Sequence, residues 1–194
     1  MLEKISLKGE MQRKLIHISS GLIPIMVIFY GKSKIIPFLL LFTILFILFD
    51  FLKNNVKWVQ IIYKFFFKAL SRKHEITHFT GASYVLIGYL ITLLFFSENI
   101  AVFSMFVLCF SDSSAALIGR VYGKNKIGNK TLEGTFAFIL VGLLISLFFQ
   151  SIPLPIRVLA IFLAAVIELT AIRINDNLSI PSTISIVCYI GMSF

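Results

Sequence analysis

Charge is what this sequence has least of. Asp, Glu, Lys and Arg make up 14% of its 194 residues and hydrophobic residues 58%, and the mean hydropathy is +0.96. Soluble domains carry about a quarter charged residues, so the shortfall excludes an ordinary soluble fold. Apolar runs near or above membrane-spanning length recur instead, and 21 Phe are more than so small a soluble core could shield. Acids are the scarcer sign, nine against 18 Lys and Arg, giving a formal net charge of +9. That balance raises nucleic acid as a partner. The cations, however, sit in loops between apolar runs, where anionic lipid headgroups are the simpler counterpart, so no nucleic acid is expected. Cysteine is nearly absent. Cys109 and Cys188 each lie alone in an apolar segment, which excludes a disulfide framework and leaves two small buried hydrophobes. Neither a His/Cys zinc spacing nor a Ser-His-Asp arrangement emerges. No cleavable leader is expected either. The first apolar run carries His17, Ser19 and Ser20 and reaches Tyr30-Gly31 without a small-residue cleavage site, so it reads as a retained span.

What is present is a succession of apolar segments. Glu10 to His17 reads as a helix entering the membrane, with Glu10, Lys14 and His17 at i, i+4, i+7 and Arg13 beside them. Spans are predicted at about 15–30, 35–52, 80–96, 100–118, 135–149, 156–172 and 180–192, the last being short. Lys53 to Lys73 differs in kind. Lys53, Lys57, Gln60, Lys64 and Lys68 form a narrow polar stripe against Trp58, Ile61, Ile62, Phe65, Phe66 and Leu70, the pattern of a helix lying in the interface. The expected fold is therefore all-α and polytopic, with about seven transmembrane helices plus an interfacial amphipathic helix, in a single domain over 1–194.

The loops fix an orientation through their cations. One set holds Lys4, Lys8, Arg13 and Lys14, the six from Lys53 through Lys73, then Arg120, Lys124, Lys126, Lys130 and Arg173; the other holds only Lys32, Lys34 and Arg157. An asymmetry of 15 to 3 places the N-terminus in the cytoplasm. It brings Glu10–His17, His74–His78, Asp112–Gly134 and Asn175–Asn177 to that same side, where nucleoside triphosphates are.

The stretch from Asp112 to Gly134 carries the most chemistry. Ser111, Ala115 and Gly119 follow one another at steps of four, and Gly123 extends the register; such a ridge of small residues serves helix packing. Packing does not explain Asp112. An acid at the end of a span is a functional-site hypothesis by default, and a carboxylate suits Mg2+, which takes one or two and fills its other positions with water and phosphate oxygens. Gly119-Arg120, Gly123-Lys124, Lys126, Gly128 and Lys130-Thr131 then offer amides and cations to phosphate. Gly123-x4-Gly128-x-Lys130-Thr131 is one residue too long for a P-loop and lacks a preceding strand, so that fold is rejected while the phosphate chemistry stands. Glu168 in the sixth span reads either as half of a structural polar pair or, with Asp176 just beyond it, as part of a metal–phosphate site.

These residues resemble the CTP-dependent lipid kinases that include dolichol, polyprenol, phytol and diacylglycerol kinases. The matching elements are Glu10-x2-Arg13-Lys14-x2-His17 with Gly21 and Pro24; Glu75 with Thr80-Gly81-Ala82-Ser83-Tyr84; Asp112-x2-Ala115-x3-Gly119-Arg120-x2-Gly123; Lys130-Thr131-x-Glu133-Gly134; and Glu168-x7-Asp176-Asn177-Leu178-x2-Pro181. The resemblance implies transfer of the γ-phosphoryl group of CTP to the hydroxyl of a long-chain lipid alcohol, with Mg2+, by an integral membrane protein whose active site faces the cytoplasm. It implies a nucleotide site of Gly119, Arg120, Gly123, Lys124, Lys130, Thr131, Glu133 and Gly134. Arg13, Lys14, His17, Asp112 and Asp176 are implied around the reacting groups. On this reading Asp112 holds the metal with Glu133 or Asp176 as second ligand, and the base is Asp112, Asp176 or His17. Whether the chain works as a homodimer is left open. Phosphatidate cytidylyltransferase shares the acid, glycine loop and Lys-Thr-x-Glu-Gly layout, but its closing His-Gly-Gly and Asp-Arg signature is replaced here by Asn175-Asp176-Asn177-Leu178. A small transporter, the reading from another class, would place polar residues at mid-membrane; here they crowd one face.

Overall fold

The structure, a computed structural model, describes residues 7–67, 78–170 and 174–193. The expectations for Lys4, Lys68 to Lys73, His74, Glu75 and Arg173 lie outside the described residues. The described residues form helices α1 (Leu7–Ser19), α2 (Leu22–Tyr30), α3 (Lys32–Asn55), α4 (Lys57–Phe67), α5 (Gly81–Phe95), α6 (Glu98–Phe106), α7 (Ser113–Val121), α8 (Leu132–Ser146), α9 (Leu154–Thr170) and α10 (Asp176–Ser193). A π-helical segment, Val107–Asp112, joins α6 to α7. The fold is all-α. Leu7–Tyr30, Lys32–Asn55 and Glu98–Val121 are long and apolar enough to cross a membrane, and Gly81–Phe95 and Leu132–Ser146 are shorter apolar helices.

The rod α6–π–α7 is the axis of the bundle. Ala101, Phe103, Met105, Val107, Leu108 and Cys109 on it are wholly buried, against α5, α8 and α10. By contrast α2 and α3 turn Phe29, Phe38 and Phe42 outward, as helices facing acyl chains do. Lipid is as apolar as a side chain, so what holds such helices together is close packing and polar contacts. Two turns at one end of the bundle are closed that way. Glu98 accepts a hydrogen bond from the Lys32 amide (2.8 Å), Lys32 Nζ donates to the Phe96 carbonyl (3.0 Å), and Arg157 Nη1 donates to the Ser146 carbonyl.

Three local features differ from the sequence expectation, each for a physical reason. The first span breaks at Ser20-Gly21, where a Cβ on Gly21 would stand 3.2 Å from Cys109 Sγ, and Pro24 re-enters in the first turn of α2. The loop between α7 and α8, expected from sequence to meet phosphate, contains a short antiparallel hairpin, Lys126–Ile127 with Lys130–Thr131. Its two-residue connection places Gly128 at φ 58°, a conformation glycine adopts without penalty. The seventh apolar helix starts at Asp176, earlier than hydropathy indicates, because Asn175 Oδ1 accepts from the Asn177 amide (3.0 Å) and caps the new turn. The amphipathic stretch expected over 53–73 is helical over 57–67 as α4, set off from α3 by extended Val56. Lys53, expected in its polar stripe, instead lies in the last turn of α3 and is buried in an ion pair with Asp50.

Candidate active site

Asp112 ends the π-helical segment and is buried, as are Ser111 and Ser113. A π turn adds a residue to the ladder and re-aims the side chains beyond it, and such turns concentrate at functional sites. The hydroxyls of Ser113 and Ser114 donate to the carbonyls of Cys109 (2.6 Å) and Phe110 (2.8 Å). They satisfy oxygens around the widened turn.

Helix α1 supplies the partners of Asp112. Lys14 Nζ donates to Asp112 Oδ2 in an ion pair, and His17 Nε2 lies 3.5 Å from the same oxygen and 3.4 Å from the Leu108 carbonyl. Lys14 and His17 are one helical step apart on one face, so a single helix delivers both. Behind them Arg13 pairs with Glu10 at 2.6 Å. The Ser20 hydroxyl meets Tyr89 Oη (3.1 Å), and Tyr89 donates to the Met105 carbonyl (3.2 Å), tying the end of α1 to the axial rod.

A second cluster gathers around the hairpin. Lys130 Nζ donates to Glu168 Oε1 (2.5 Å) and Asp176 Oδ2 (2.7 Å), and Thr135 donates to Glu168 Oε2 (3.4 Å). Burial disfavours the Lys130 ammonium, yet the carboxylates of Asp112, Asp176 and Glu168 outweigh burial and hold its pKa above an ordinary lysine's. The charge of Asp112 thus reaches the second cluster, and residues from α1, the axial rod, the hairpin, α9 and α10 share one electrostatic site.

The loop glycines are used for approach. A Cβ on Gly119 would stand 2.6 Å from Thr131 Oγ1, one on Gly123 2.1 Å from the Gly119 carbonyl, and one on Gly134 2.7 Å from the Ala115 carbonyl. These contacts lock α7 onto the start of α8 and continue the small-residue ridge into the hairpin. Thr131 caps α8, its hydroxyl accepting from the Gly134 amide (3.1 Å). Of the other nucleotide-site residues expected from sequence, Arg120 lies half-buried in the last turn of α7 and Lys124 is exposed beyond it. Glu133 accepts from the Asn125 amide (3.1 Å) and Nδ2 (3.0 Å), so it braces the loop. The structure therefore joins Lys14, His17 and Asp112, joins Lys130 and Asp176, and engages Glu133 elsewhere. Glu168, which sequence left between two roles, stands in the cluster.

Among the described residues no group of three or more His, Cys, Asp or Glu side chains is set to hold a metal ion. The donors that are there, carboxylate oxygens of Asp112 and Asp176 around Lys130, fit a hard cation that keeps water and phosphate ligands. A further cluster was not singled out from the sequence. Asp50 Oδ2 accepts from the Thr80 amide (2.7 Å), Thr80 Oγ1 (3.0 Å) and Ser83 Oγ (2.7 Å), and Lys53 lies 3.0 Å from Oδ1. Its signal was an Asp and a Lys at i, i+3 where an apolar run ends.

No model of a known family matches the chain, and no solved structure does. Similar curated proteins exist. One from Rickettsia prowazekii, described as uncharacterised, is 30% identical over 182 residues, 89% of each chain. The CTP-dependent diacylglycerol kinase 1 of Saccharomyces cerevisiae is 36% identical over 143 residues, 71% of this chain and 49% of the yeast protein. A probable chloroplastic phytol kinase of Glycine max is 33% identical over 117 residues, 50% of this chain and 39% of the plant protein. The chain thus spans about half the length of the yeast kinase it matches. These relatives are named as kinases of two different lipid alcohols, and the chain belongs to the CTP-dependent lipid kinase family.

Proposed function

We propose that this chain transfers the γ-phosphoryl group of CTP to the hydroxyl of a lipid alcohol, a long-chain isoprenoid alcohol or a diacylglycerol, at the cytoplasmic face of a membrane. The observation that carries the reading is the convergence of Lys14, His17 and Asp112 with Lys130, Glu168 and Asp176. Phosphoryl transfer asks a protein mainly for positioning and charge neutralisation, and alternating cations and carboxylates from five segments supply both. The names of the yeast and plant relatives support CTP as donor and a lipid alcohol as acceptor.

In this reading residues 1–194 act as a single membrane-embedded domain with about seven spans. The cation asymmetry of the loops puts the site on the cytoplasmic side. Asp112 and Asp176 would hold Mg2+, which offsets charge on the phosphates. Lys14 orients the Asp112 carboxylate, and Lys130 holds Glu168 and Asp176 together. Arg13, Arg120 and Lys124 would meet phosphate oxygens. His17, beside both Asp112 and the Leu108 carbonyl, is placed to orient the lipid hydroxyl. Thr131, Gly119, Gly123 and Gly134 hold the loop against α7 so that these groups keep their spacing.

The test uses CTP labelled at either the γ or the α phosphate, with the full chain in lipid nanodiscs and a panel of lipid alcohols. Label from the γ position alone on lipid is the expected result. Label from α would assign cytidylyl transfer instead, and lipid without label from either position would overturn both.

A further inference from the structure

The Thr80-Gly81-Ala82-Ser83-Tyr84 stretch belongs to the family resemblance, yet its hydroxyls serve Asp50 rather than the Asp112 or Lys130 cluster. What this end of α5 does meet is the first turn of α10. Asn177 Nδ2 donates to the Gly81 carbonyl at 3.0 Å. The Asn177 backbone also presses on α5 further along: a Cβ on Gly88 would stand 2.6 Å from the Asn177 carbonyl oxygen and 3.3 Å from Pro181 Cγ. Gly81 and Gly88 are at i and i+7, so they share one face of α5 about two turns apart. Asn177 is gripped there through its side chain and again through its backbone. The residue before it is Asp176, the first of α10. The Asp176 side chain is 25% exposed, against 4% for Glu168, the other partner of Lys130. Packing therefore fixes Glu168, whereas Asp176 depends on its bond from Lys130 (2.7 Å) and on how the backbone beside it is held.

We infer that Asn177 and Gly88 are positioning residues for Asp176. The amide grip on Gly81 and the bare backbone at Gly88 seat the first turn of α10 on α5, and that seat sets where the Asp176 carboxylate stands relative to Lys130 and Asp112. Carboxylate ligands of Mg2+ must lie at about 2.0–2.1 Å in a near-octahedral array, and a misplacement of about 1 Å in a reacting site costs about a hundredfold in rate. A side chain at position 88 forces a shift of that size, because its neighbour there is backbone and cannot rotate away. The inference rests on the proposed function, which gives Asp176 to Mg2+, and it gives α5 a part in a reaction that its own side chains do not touch.

The experiment compares the full wild-type chain in nanodiscs with Asn177→Ala, Gly88→Ala and, as a control on the same helix, Gly191→Ala. A Cβ on Gly191 would stand 3.0 Å from Ile156 Cγ2, about 20 Å along α10 from Asp176 at 1.5 Å per residue. The readouts are melting temperature, kcat, the Mg2+ concentration for half-maximal rate, and Mn2+ affinity in the presence of CTP followed by electron paramagnetic resonance. Asn177→Ala is expected to lower kcat about tenfold, roughly one hydrogen bond's worth, and Gly88→Ala about a hundredfold. Both should raise the Mg2+ requirement and weaken Mn2+ binding several-fold, whereas Gly191→Ala should melt lower with kcat and both metal readouts unchanged. Lower melting of Asn177→Ala and Gly88→Ala with wild-type kcat and metal readouts would mean a merely structural role and overturn the inference. Equal metal shifts in Gly191→Ala, or a wild type that binds no Mn2+ with CTP, would overturn it too. Should Gly88→Ala fail to fold, Asn177→Ala, which introduces no clash, decides alone. Weakened Mn2+ binding in the two variants, with no lipid alcohol phosphorylated by the wild type, would sink the kinase reading and leave the positioning role standing. Phosphorylation by the wild type, with Mn2+ affinity unchanged in both variants, would do the reverse.

Discussion

Asp50 and Asp112 are both aspartates near one end of an apolar helix, and both are paired with a lysine. Asp50 is 0% exposed and Asp112 5%, so burial alone does not separate them. Their partners do. Asp50 receives three hydrogen bonds from the start of α5 and an ion pair from Lys53, which is itself 0% exposed, donates to the His78 carbonyl (2.8 Å) and lies 4.6 Å from the Tyr63 ring centroid. Every group in that cluster is neutral or has its counter-charge inside the protein. Asp112 has Lys14 and His17 on one oxygen only, and the field of Lys130 besides. Among the described residues no ion pair or hydrogen bond is found to its second oxygen. The sealed carboxylate ties α3 to α5; the other is the one the proposed function gives to a cation and phosphate.

The sharpest way to break this comparison is to neutralise each acid. Asp112→Asn is expected to cut lipid phosphorylation by on the order of a thousandfold, as loss of a main transition-state charge partner does, while the protein inserts and purifies normally. Asp50→Asn is expected to do the opposite kind of damage. It strands a buried Lys53 charge, worth about 3–5 kcal/mol of stability, and appears as poor yield and a lowered unfolding temperature in detergent. Activity measured per folded molecule should stay near wild type. If Asp112→Asn keeps substantial turnover, Asp112 is structural like Asp50 and the distinction collapses.

A step smaller is Lys130→Gln. It leaves Glu168 and Asp176 as like charges with no bridge, and a loss of about a hundredfold in turnover is expected, in the range of one removed electrostatic donor. The pH dependence has a definite sign. Lys130 has a raised pKa in the folded state, so its stabilising contribution is fully present below an ordinary lysine's value, about 10.4. It is lost only as pH rises beyond that. Wild-type melting should therefore show no Lys130-dependent loss across neutral pH. The variant should melt lower there and recover toward acid pH as a carboxyl takes up a proton.

How much of this was legible in the chain depends on the range of each interaction. The apolar runs are local signals, and the helices follow them within a few residues. The ridge Ser111–Ala115–Gly119 was readable because steps of four are fixed by helix geometry, and it does face α8. Asp112 was readable because an acid in an apolar run is expensive. The partners were not. Nothing local states that Lys14 meets an aspartate 98 positions away, or that Lys130 bridges residues 38 and 46 positions on. The π segment was equally hidden, since its residues scan as one more turn of an apolar helix. The loop glycines illustrate the opposite hazard. Read locally they offer amides to phosphate, whereas three of them are required for close backbone approach.

The same packing gives a prediction about how Asp112 is held. Gly119→Ala would set a Cβ 2.6 Å from Thr131 Oγ1 and 3.5 Å from Gly134 Cα. Overpacking of this kind costs about 1–3 kcal/mol, and it pushes the hairpin with Lys130 away from the axial rod. A lowered unfolding temperature with a rise of several-fold in KM for CTP is expected. Gly128→Ala, which meets nothing within 4 Å but keeps a φ of +58°, should cost only about 1–2 kcal/mol and leave KM for CTP as it was.

Glu133 has the smallest expected effect and the most to say about the metal. Sequence placed it with Asp176 as a candidate second ligand. In the structure its carboxylate accepts two bonds from Asn125, whereas Asp176 shares Lys130 with Glu168. A group that braces the loop acts on CTP binding, so Glu133→Gln is expected to raise KM for CTP by less than about tenfold, roughly one hydrogen bond's worth, with kcat nearly unchanged. Asp176→Asn should instead lower kcat and raise the Mg2+ concentration needed for half-maximal rate. Titrating Mg2+ against both variants decides the point. A raised Mg2+ requirement in Glu133→Gln, and none in Asp176→Asn, would hand the second ligand position to Glu133 and would mean that the loop re-forms around bound nucleotide.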